Sequence, residues 1–488
     1  MPTALDPHFI EAPGGGIIRN ADPRHVPDRS WANGRNVRFP TGGTRVRKTD
    51  GYSRIEDPGG PTEPLRAIWW YVPPSGENPQ LVRIGLTGAW VGSGDTLVRI
   101  ATFPTRTLND VVTLDQHKEM LIWSDGIEVY GWNGADDAFV ITIDTAQGPG
   151  ALVEIHKSRV LVGRFPNQPW RLSYSMPDDP LDWTGDIAGD QFFLEDSTGL
   201  TAVKVLGDHA IIHKPNRLYR FISVGPPEIY IVEGIPADDG SVSARSPISI
   251  GSYQYYCGRT NFYRLGSFSE PIGDAIWPEI SDAIDWPRAH LIYAYRRLEH
   301  DEVCWKIPAR GSTQPNLTAV YNYRDQTWSL TDHDPGMCFT ELPPPGPDAG
   351  QATNEENLRP VRGAFGQASG LIQVYGGHDA DGVPIYPWVE SRHFNDGLIP
   401  TKILVVPVYA TGTGTLRITV RAAMDPRTPM PPWKPPRELP LDPARYRPWV
   451  DVREYGRIWQ VRMESNALGD DWEVAAYGAA NIPGGYAR

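Results

Sequence analysis

Short apolar segments recur along most of the chain, and within them apolar and polar side chains alternate. This period of two is typical of β-strands with one buried face. Polar turns separate the segments, and one such turn recurs near Gly88, Gly126, Gln168, Asn216, Arg259, Asp325 and Gly370. All but one of the intervals between these turns lie near 40–50 residues, which is the length of a four-stranded propeller blade.

The sequence therefore predicts an all-β protein with a β-propeller of about six to seven blades, some of them irregular. We expect the propeller to occupy residues 51–392. The one longer interval contains the best helical candidate of the chain, so we expect a helical insertion near 278–300. A run rich in Pro, Gly and acidic residues predicts a long loop near 342–357.

The two ends of the chain have their own patterns. Residues 1–50 are rich in Gly, Pro, Asn and Arg, which predicts an extended N-terminal arm and a first strand. Alternating segments after residue 393 predict an additional C-terminal β-sandwich-like region over 393–488. Its proline-rich loop, 425–448, cannot be a central strand because proline donates no backbone hydrogen bond. The arm and this loop are candidates for contacts with neighbouring subunits.

Composition excludes most other fold classes. The 488 residues include 49 glycines and 48 prolines, about a fifth of the chain, whereas about 12% is average. These residues interrupt helices, so a helical bundle or a doubly wound fold is excluded. The 17 tryptophans supply more apolar surface than a disordered chain carries.

The charge argues against tight binding of nucleic acid. The chain has 46 basic and 59 acidic residues, a net charge of −13, and its basic stretches are short and mixed with acids or prolines. Gripping DNA phosphates takes clustered Lys and Arg. The first residues have no apolar signal segment, and no stretch approaches 18 apolar residues. We therefore expect synthesis in a cytosol and no membrane insertion by the chain itself.

Metal and cofactor motifs are missing from the sequence. Cys257, Cys304 and Cys338 are widely spaced and form no CxxC pair, so they predict neither a zinc site nor a disulfide framework. The segment 378–390 begins like a calcium loop, but its Gly382 falls two positions too early, and a polar turn is the better interpretation. We expect no metal and no cofactor.

Enzymatic motifs are also missing. Propeller glycosidases need two carboxyl groups about 5–10 Å apart across a cleft. Adjacent aspartates such as Asp178 and Asp179, or Asp238 and Asp239, point to opposite faces of a strand and are better explained as turn residues. The sequence contains no GxSxG and no phosphate loop. We predict no catalytic residues and no enzyme; the alternative is a carbohydrate- or receptor-binding propeller or a glycan-degrading one.

Four stretches resemble one protein family, the tail proteins of short-tailed bacteriophages called tail nozzle, tail tubular protein B or packaged-DNA stabilisation (tail hub) proteins. The stretches are the opening GGGI with NVR and RKTDGY, the central RLSYSMPDDPLDW followed by KVLGDHAIIHKPNRLYRF, the later AVYNYRDQTWSL, and the closing segment from Tyr455 to Gly485. Each motif is short, and together they touch both ends and the middle of the chain.

The resemblance implies a structural virion protein without catalytic residues. It implies a homo-hexamer ring below the phage adaptor that provides a channel for DNA retention and ejection. Its partners would be the adaptor and the tail fibre or spike proteins, with double-stranded DNA passing without sequence-specific binding. The protein would be made in the bacterial host cytoplasm and reside in the virion tail, as the terminal nozzle or as an intermediate hub.

Overall fold

The computed structural model describes residues 6–55, 63–76, 79–92, 97–104, 106–333, 336–342, 362–366, 372–395, 400–425, 427–442 and 447–483. Five strands precede the first complete blade: β1 (Asp6–Glu11), β2 (Trp31–Arg35), β3 (Val37–Arg38), β4 (Val46–Lys48) and β5 (Tyr52–Ile55). The first four belong to a β-sandwich, and β5 belongs to the propeller.

The described residues form seven four-stranded antiparallel sheets, the blades of a propeller. Their strands follow in chain order. Blade 1 contains β6 (Ala67–Tyr71), β7 (Gln80–Ile84), β8 (Gly88–Val91) and β9 (Val98–Thr102); blade 2 contains β10 (Thr113–His117), β11 (Met120–Ser124), β12 (Val129–Trp132) and β13 (Phe139–Val140); blade 3 contains β14 (Leu152–His156), β15 (Arg159–Gly163), β16 (Arg171–Tyr174) and β17 (Gly189–Phe192); blade 4 contains β18 (Ala202–Leu206), β19 (His209–Lys214), β20 (Arg217–Ser223) and β21 (Tyr230–Ile235).

The last three blades follow in the same way. Blade 5 contains β22 (Ile248–Ile250), β23 (Tyr253–Cys257), β24 (Phe262–Leu265) and β25 (Ser269–Pro271); blade 6 contains β26 (Tyr293–Arg297), β27 (Glu302–Ile307), β28 (Leu317–Asn322) and β29 (Thr327–Thr331); blade 7 contains β30 (Cys338–Leu342), β31 (Arg362–Gly366), β32 (Ile372–Tyr375) and the N-terminal β5. Because β5 pairs with β32, strands from distant parts of the chain close the ring. The fold class predicted from the sequence is confirmed.

The blades pack face to face, so their middle strands are buried on both sides. All five residues of β15 are buried, and four of the five in β11. Aromatic rings join neighbouring blades: Tyr71 of blade 1 and Trp132 of blade 2 have ring centroids 4.8 Å apart. Aromatic pairs of this kind contribute about 0.5–1.5 kcal/mol beyond the area they bury. The buried tryptophans of the propeller, Trp123, Trp132, Trp305 and Trp328, account for part of the high tryptophan content.

Side chains also join the innermost strands of adjacent blades. The inner strand is the edge of its sheet, so its outward N–H groups need partners. Thr113 Oγ1 accepts the N–H of Val153 at 3.1 Å, and the Asp115 carboxylate accepts that of Ile155 at 2.9 Å. The Glu154 carboxylate accepts the N–H of Val205 at 3.0 Å. Carboxylates along the inner strands thus have a structural role in joining blades.

A β-sandwich formed by both ends of the chain stands beside the propeller. Its later strands are β33 (Trp388–Ser391), β34 (Phe394–Asn395), β35 (Thr401–Thr413), β36 (Thr415–Ala423), β37 (Arg437–Pro440), β38 (Trp449–Gly456), β39 (Ile458–Glu464) and β40 (Asp471–Pro483). One six-stranded sheet has the order β3-β4-β40-β35-β38 with β1 also on β40; we call it the long sheet. The second has the order β2-β33-β39-β36-β37 with β34 also on β39. Trp31 and Tyr477 stack between the two sheets with ring centroids 5.0 Å apart.

The structure differs from the predicted domain boundaries at several places. The segment 1–50, predicted as an extended arm, supplies β1–β4 to the sandwich, because strand pairing across the whole chain length leaves no local signal. The predicted proline-rich loop, 425–448, includes β37 at the edge of its sheet, where proline is tolerated. The predicted long loop near 342–357 lies outside the described residues, apart from Leu342 at the end of β30.

The helical insertion lies between blades 5 and 6. It consists of α1 (Trp277–Ala283) and a 3₁₀ helix (Trp286–Leu291), and each has a proline in its first turn. The rest of the predicted interval, 278–300, is β26 and a 3₁₀ turn (Leu298–His300). Among the described helices, none has the length and apolar character required to cross a bilayer.

The sandwich docks on blade 6. Backbone hydrogen bonds run from Ile17 N to the Trp328 carbonyl and from Asn36 N to the Leu330 carbonyl, both at 2.9 Å. Beside them, Asp50 accepts hydrogen bonds from Arg38 of the sandwich and from Arg297 and His300 of blade 6. The junction therefore combines ladder hydrogen bonds with a buried ionic cluster.

We expect His213 to make the stability of the propeller sensitive to acid. Its ring is fully buried, the Ser241 N–H donates to Nδ1 at 3.2 Å, and Nε2 therefore carries the proton that it donates to Gln254 Oε1 at 2.7 Å. Burial lowers the pKa of His213 to about 4. Because the unfolded ring has a pKa of about 6.5, the unfolded state takes up a proton first as pH falls, and the His213 contribution drops by about 3 kcal/mol between pH 7 and pH 4.

Urea unfolding at pH 7 and pH 4 tests this expectation in the wild type and in His213→Gln, which keeps an N–H donor. The variant should lose about 3 kcal/mol less on acidification than the wild type does. An equal loss in both proteins would assign the acid sensitivity to other groups.

Candidate assembly surface

The outward face of the long sheet carries an exposed aromatic surface. Phe9, Tyr409, Trp449 and Tyr455 project from β1, β35 and β38, and we call these four residues the outer face. They are 37%, 50%, 46% and 51% exposed. Phe9 and Tyr409 meet edge to face with ring centroids 5.4 Å apart. Two of the four rings are therefore in direct contact, and the other two lie on the neighbouring strand β38.

Strand alternation produces this surface. In β38, Val450 and Val452 point into the sandwich core, so Trp449 and Tyr455 point outward. The outward residues of neighbouring β40 include Ala475, so the strand beside the rings carries small side chains there. Aromatic groups grouped on one exposed sheet face mark an interaction site more often than isolated exposed residues do.

A groove with three arginines borders the outer face. The two edge strands β37 and β38 lie side by side, and a cavity of about 520 Å³ between them is lined by Arg437, Arg447 and Arg453 together with Glu438, Trp449, Val450 and Asp451. We call it the arginine groove. Within the described part of the chain, none of the three guanidinium groups forms an ion pair. Elsewhere in the same sandwich Arg462 is paired with Glu390 at 3.1 Å and with Glu464 at 2.7 Å.

The groove combines residue types that are common at protein–protein interfaces. Arginine and tryptophan are the residues most enriched at interface hot spots. Unpaired guanidinium groups favour a partner surface that supplies carboxylates. The described strands β37 and β38 also leave one backbone edge each without a strand partner.

A second exposed apolar surface lies on the propeller. It follows the outermost strands of blades 1–3 and comprises Val98, Phe139, Val140, Phe192 and Leu194, which we call the blade rim. Leu194 is 63% exposed and Val98 is 58% exposed. Exposed acidic residues accompany it, among them Asp136, Asp137 and Glu195. The rim is therefore apolar and acidic, whereas the outer face and its groove are aromatic and basic.

Comparison with known proteins adds little to this description. No family model matches the chain, and no curated protein matches it. Among solved structures, the chain is similar to BBS1N in complex with ARL6DN, with 8% identity and a TM-score of 0.41 over 67% of this chain and 97% of that one. It is also similar to the Cps50 (Swd1) β-propeller domain of Myceliophteria thermophila, with 9% identity and a TM-score of 0.40 over 67% and 99%. The propeller fold of the described residues is evident from their seven four-stranded sheets.

Three aspartates that the sequence analysis weighed as metal ligands or catalytic groups have structural hydrogen-bond or ion-pair partners. Asp379 accepts the Gly469 N–H at 3.0 Å, and Asp381 pairs with Arg54 at 2.8 Å, as in a polar turn. Asp239 accepts the Thr260 N–H at 2.7 Å. The three cysteines are buried, and among the described residues none of them forms a disulfide. Among the described residues, no group of three or more His, Cys, Asp or Glu side chains is arranged to hold a metal ion.

Sequence reasoning located part of this surface and missed the rest. It singled out the proline-rich segment that supplies Arg437 and Arg447, because proline density marks surface chain. It could not place Phe9 beside Tyr409, since the two residues are 400 positions apart and meet only through β40. The alternation in β38 is the one local signal that could have identified Trp449 as exposed.

Proposed function

We propose that this protein is a structural subunit of a phage tail, forming a hexameric nozzle or hub below the adaptor that provides a channel for DNA retention and ejection. The resemblance of four sequence stretches suggests the family. The observation that carries the proposal is the pair of different exposed surfaces, the outer face with its arginine groove and the blade rim.

A closed ring requires such a pair. In a cyclic assembly with more than two subunits, each subunit contacts its neighbours through two different patches. The outer face and arginine groove are aromatic and basic, and the blade rim is apolar and acidic, so one copy offers what the next copy lacks. In the proposed ring, the outer face of each subunit binds the blade rim of its neighbour.

The DNA channel of this assembly lies between subunits. The cavity on the propeller axis has a volume of about 550 Å³, which is the size of a small-molecule pocket. The major groove of duplex DNA alone is about 12 Å wide, so a duplex needs a far larger opening. A net charge of −13 per subunit suits a wall that DNA passes without sticking, because like charges repel within a Debye length of about 8 Å.

Electron microscopy of the purified protein tests the proposal. Alone or mixed with its adaptor protein, the chain is expected to form six-fold rings around a central pore in negative stain. Size-exclusion chromatography with light scattering should give the mass of six 54.2 kDa chains. A strictly monomeric particle that never joins an adaptor would contradict the proposal.

A further inference from the structure

The propeller axis contains a cavity whose chemistry the assembly does not use. Its volume is about 550 Å³, and the inner strands of all seven blades contribute to its wall. Trp69, Trp70, Tyr293 and Phe339 are among the lining residues, with aliphatic side chains between them. Pockets of about 300–1,000 Å³ with largely apolar walls and a few polar groups are typical of small-molecule sites.

Four charged side chains in the wall neutralise one another. Lys204 Nζ lies 2.9 Å from Glu154 Oε2, joining blades 3 and 4. Arg296 of blade 6 forms a bidentate ion pair with Glu341 of blade 7: Nε donates to Oε1, and Nη2 lies 3.1 Å from Oε2. These pairs leave no net charge on this part of the wall.

A fifth charged side chain, Arg245, has no carboxylate partner. It precedes β22 of blade 5, lines both the axial cavity and a smaller space beneath it, and reaches across the axis to donate from Nη1 to the Arg66 carbonyl of blade 1 at 3.0 Å. Its guanidinium carbon lies 5.4 Å from the centre of the Tyr293 ring. Its Nε is buried without a hydrogen-bond partner, and no described acidic group forms an ion pair with it.

An arginine in this setting favours an anion. Arginine stays protonated in proteins, so removal from water must be offset by a counter-charge or by hydrogen bonds to its remaining donors. One backbone carbonyl and one tyrosine face meet part of that need. Arg245 is only partly buried and lines the cavity, so a carboxylate or phosphate there would accept hydrogen bonds from the guanidinium donors that face it.

We propose that the axial cavity binds a small organic anion, a carboxylate or a phosphate monoester with an apolar body, whose charged end contacts Arg245 and whose body packs among the aromatic residues of the wall. This inference does not depend on the assembly proposed above, since the cavity lies within one subunit.

Calorimetric titration tests the proposal with four probes: benzoate, phenyl phosphate, neutral benzamide and inorganic phosphate. Benzoate or phenyl phosphate should bind saturably, with benzamide and inorganic phosphate weaker because each lacks one half of the recognition. Arg245→Gln should weaken anion binding roughly tenfold or more, the value of a charge-assisted hydrogen bond. Arg245→Lys should retain part of the affinity.

Arg159→Gln is the matched control. Arg159 is buried, donates to the Ser175 and Ile187 carbonyls at 2.6 and 2.7 Å, and lies 5.7 Å from the Tyr174 ring centre, but it does not line the cavity. This variant should bind the anions as the wild type does. Comparing the two anions separates a carboxylate site from a phosphate site. Equal affinity for benzamide and benzoate, unchanged binding in Arg245→Gln, or no saturable binding of either organic anion would overturn the proposal.

Discussion

Replacing Asp50 by asparagine is expected to lower the free energy of unfolding by about 3–5 kcal/mol, because it removes the carboxylate that two buried arginines share at the closest distance. Arg38 Nη1 lies 2.7 Å from Asp50 Oδ2, and Arg297 Nη2 contacts the same oxygen. The side chains of Arg38 and Arg297 are only 4% and 5% exposed. Asparagine has nearly the same shape as aspartate but no charge, so both guanidinium groups would remain buried with Glu302 as their shared acidic partner, and Arg297 would also keep Glu299 at 3.4 Å.

The pKa of Asp50 also gives this prediction a pH dependence. Burial alone would raise the pKa, but the His300 hydrogen bond and the positive charges of Arg297 and Arg38 hold it well below its usual range. The unfolded carboxyl titrates near pH 3.9, so the contribution of Asp50 is complete at neutral pH and is lost as pH falls below that value. The gap between wild type and Asp50→Asn should therefore narrow in strong acid.

Denaturant unfolding at pH 7 measures the Asp50 effect, and Asp22→Asn is its control. Asp22 also contacts an arginine, Arg24, at 2.6 Å, but this pair is exposed to solvent. Exposed pairs contribute little to stability, so Asp22→Asn should be close to wild type. A loss in Asp50→Asn no larger than in Asp22→Asn would show that the junction does not depend on this carboxylate.

The sequence predicted the repeating unit of the propeller because that unit is local. Five of the seven turns it located lie at the link between the second and third strands of separate blades; for example, Gly88 begins β8, and Asn216 lies between β19 and β20. The turn predicted near Gly370 lies outside the described residues. Asp325 instead lies between β28 and β29. That shift, added to the helical insertion, explains the one long interval.

Pairing between distant segments was beyond sequence reasoning. The contact of β5 with β32 joins residues more than 300 positions apart. The C-terminal strand β40 pairs with β35 and with the N-terminal strands β1 and β4. The alternation of apolar and polar residues indicates which face of a strand is buried, but not which strand pairs with it. Arg245 was missed for a related reason. It belongs to no sequence motif, and its lack of a carboxylate partner depends on which residues the other six blades contribute to the cavity wall.

Replacing Trp449 by alanine is expected to abolish the rings at concentrations where the wild type assembles. Trp449 belongs to both the outer face and the arginine groove, which makes it the centre of the proposed contact. Removal of a hot-spot tryptophan costs about 2 kcal/mol or more, a factor of roughly 30 in affinity at each contact. Every subunit contact in a closed ring carries the same substitution, so the losses accumulate. Because Trp449 is half exposed, the melting temperature should change little.

Phe268→Ala is the matched control for Trp449→Ala, since Phe268 is 60% exposed but lies outside the outer face, the groove and the rim. It should leave ring formation intact. Leu194→Asp, on the blade rim, should also abolish rings while each subunit stays folded.

Mixing Trp449→Ala with Leu194→Asp tests whether the outer face of one subunit binds the blade rim of the next. If the outer face binds the rim, Trp449→Ala and Leu194→Asp subunits each retain one intact patch, so the mixture should form heterodimers and no rings. Rings formed by Trp449→Ala alone, or a mixture that stays monomeric, would refute contact between these two surfaces.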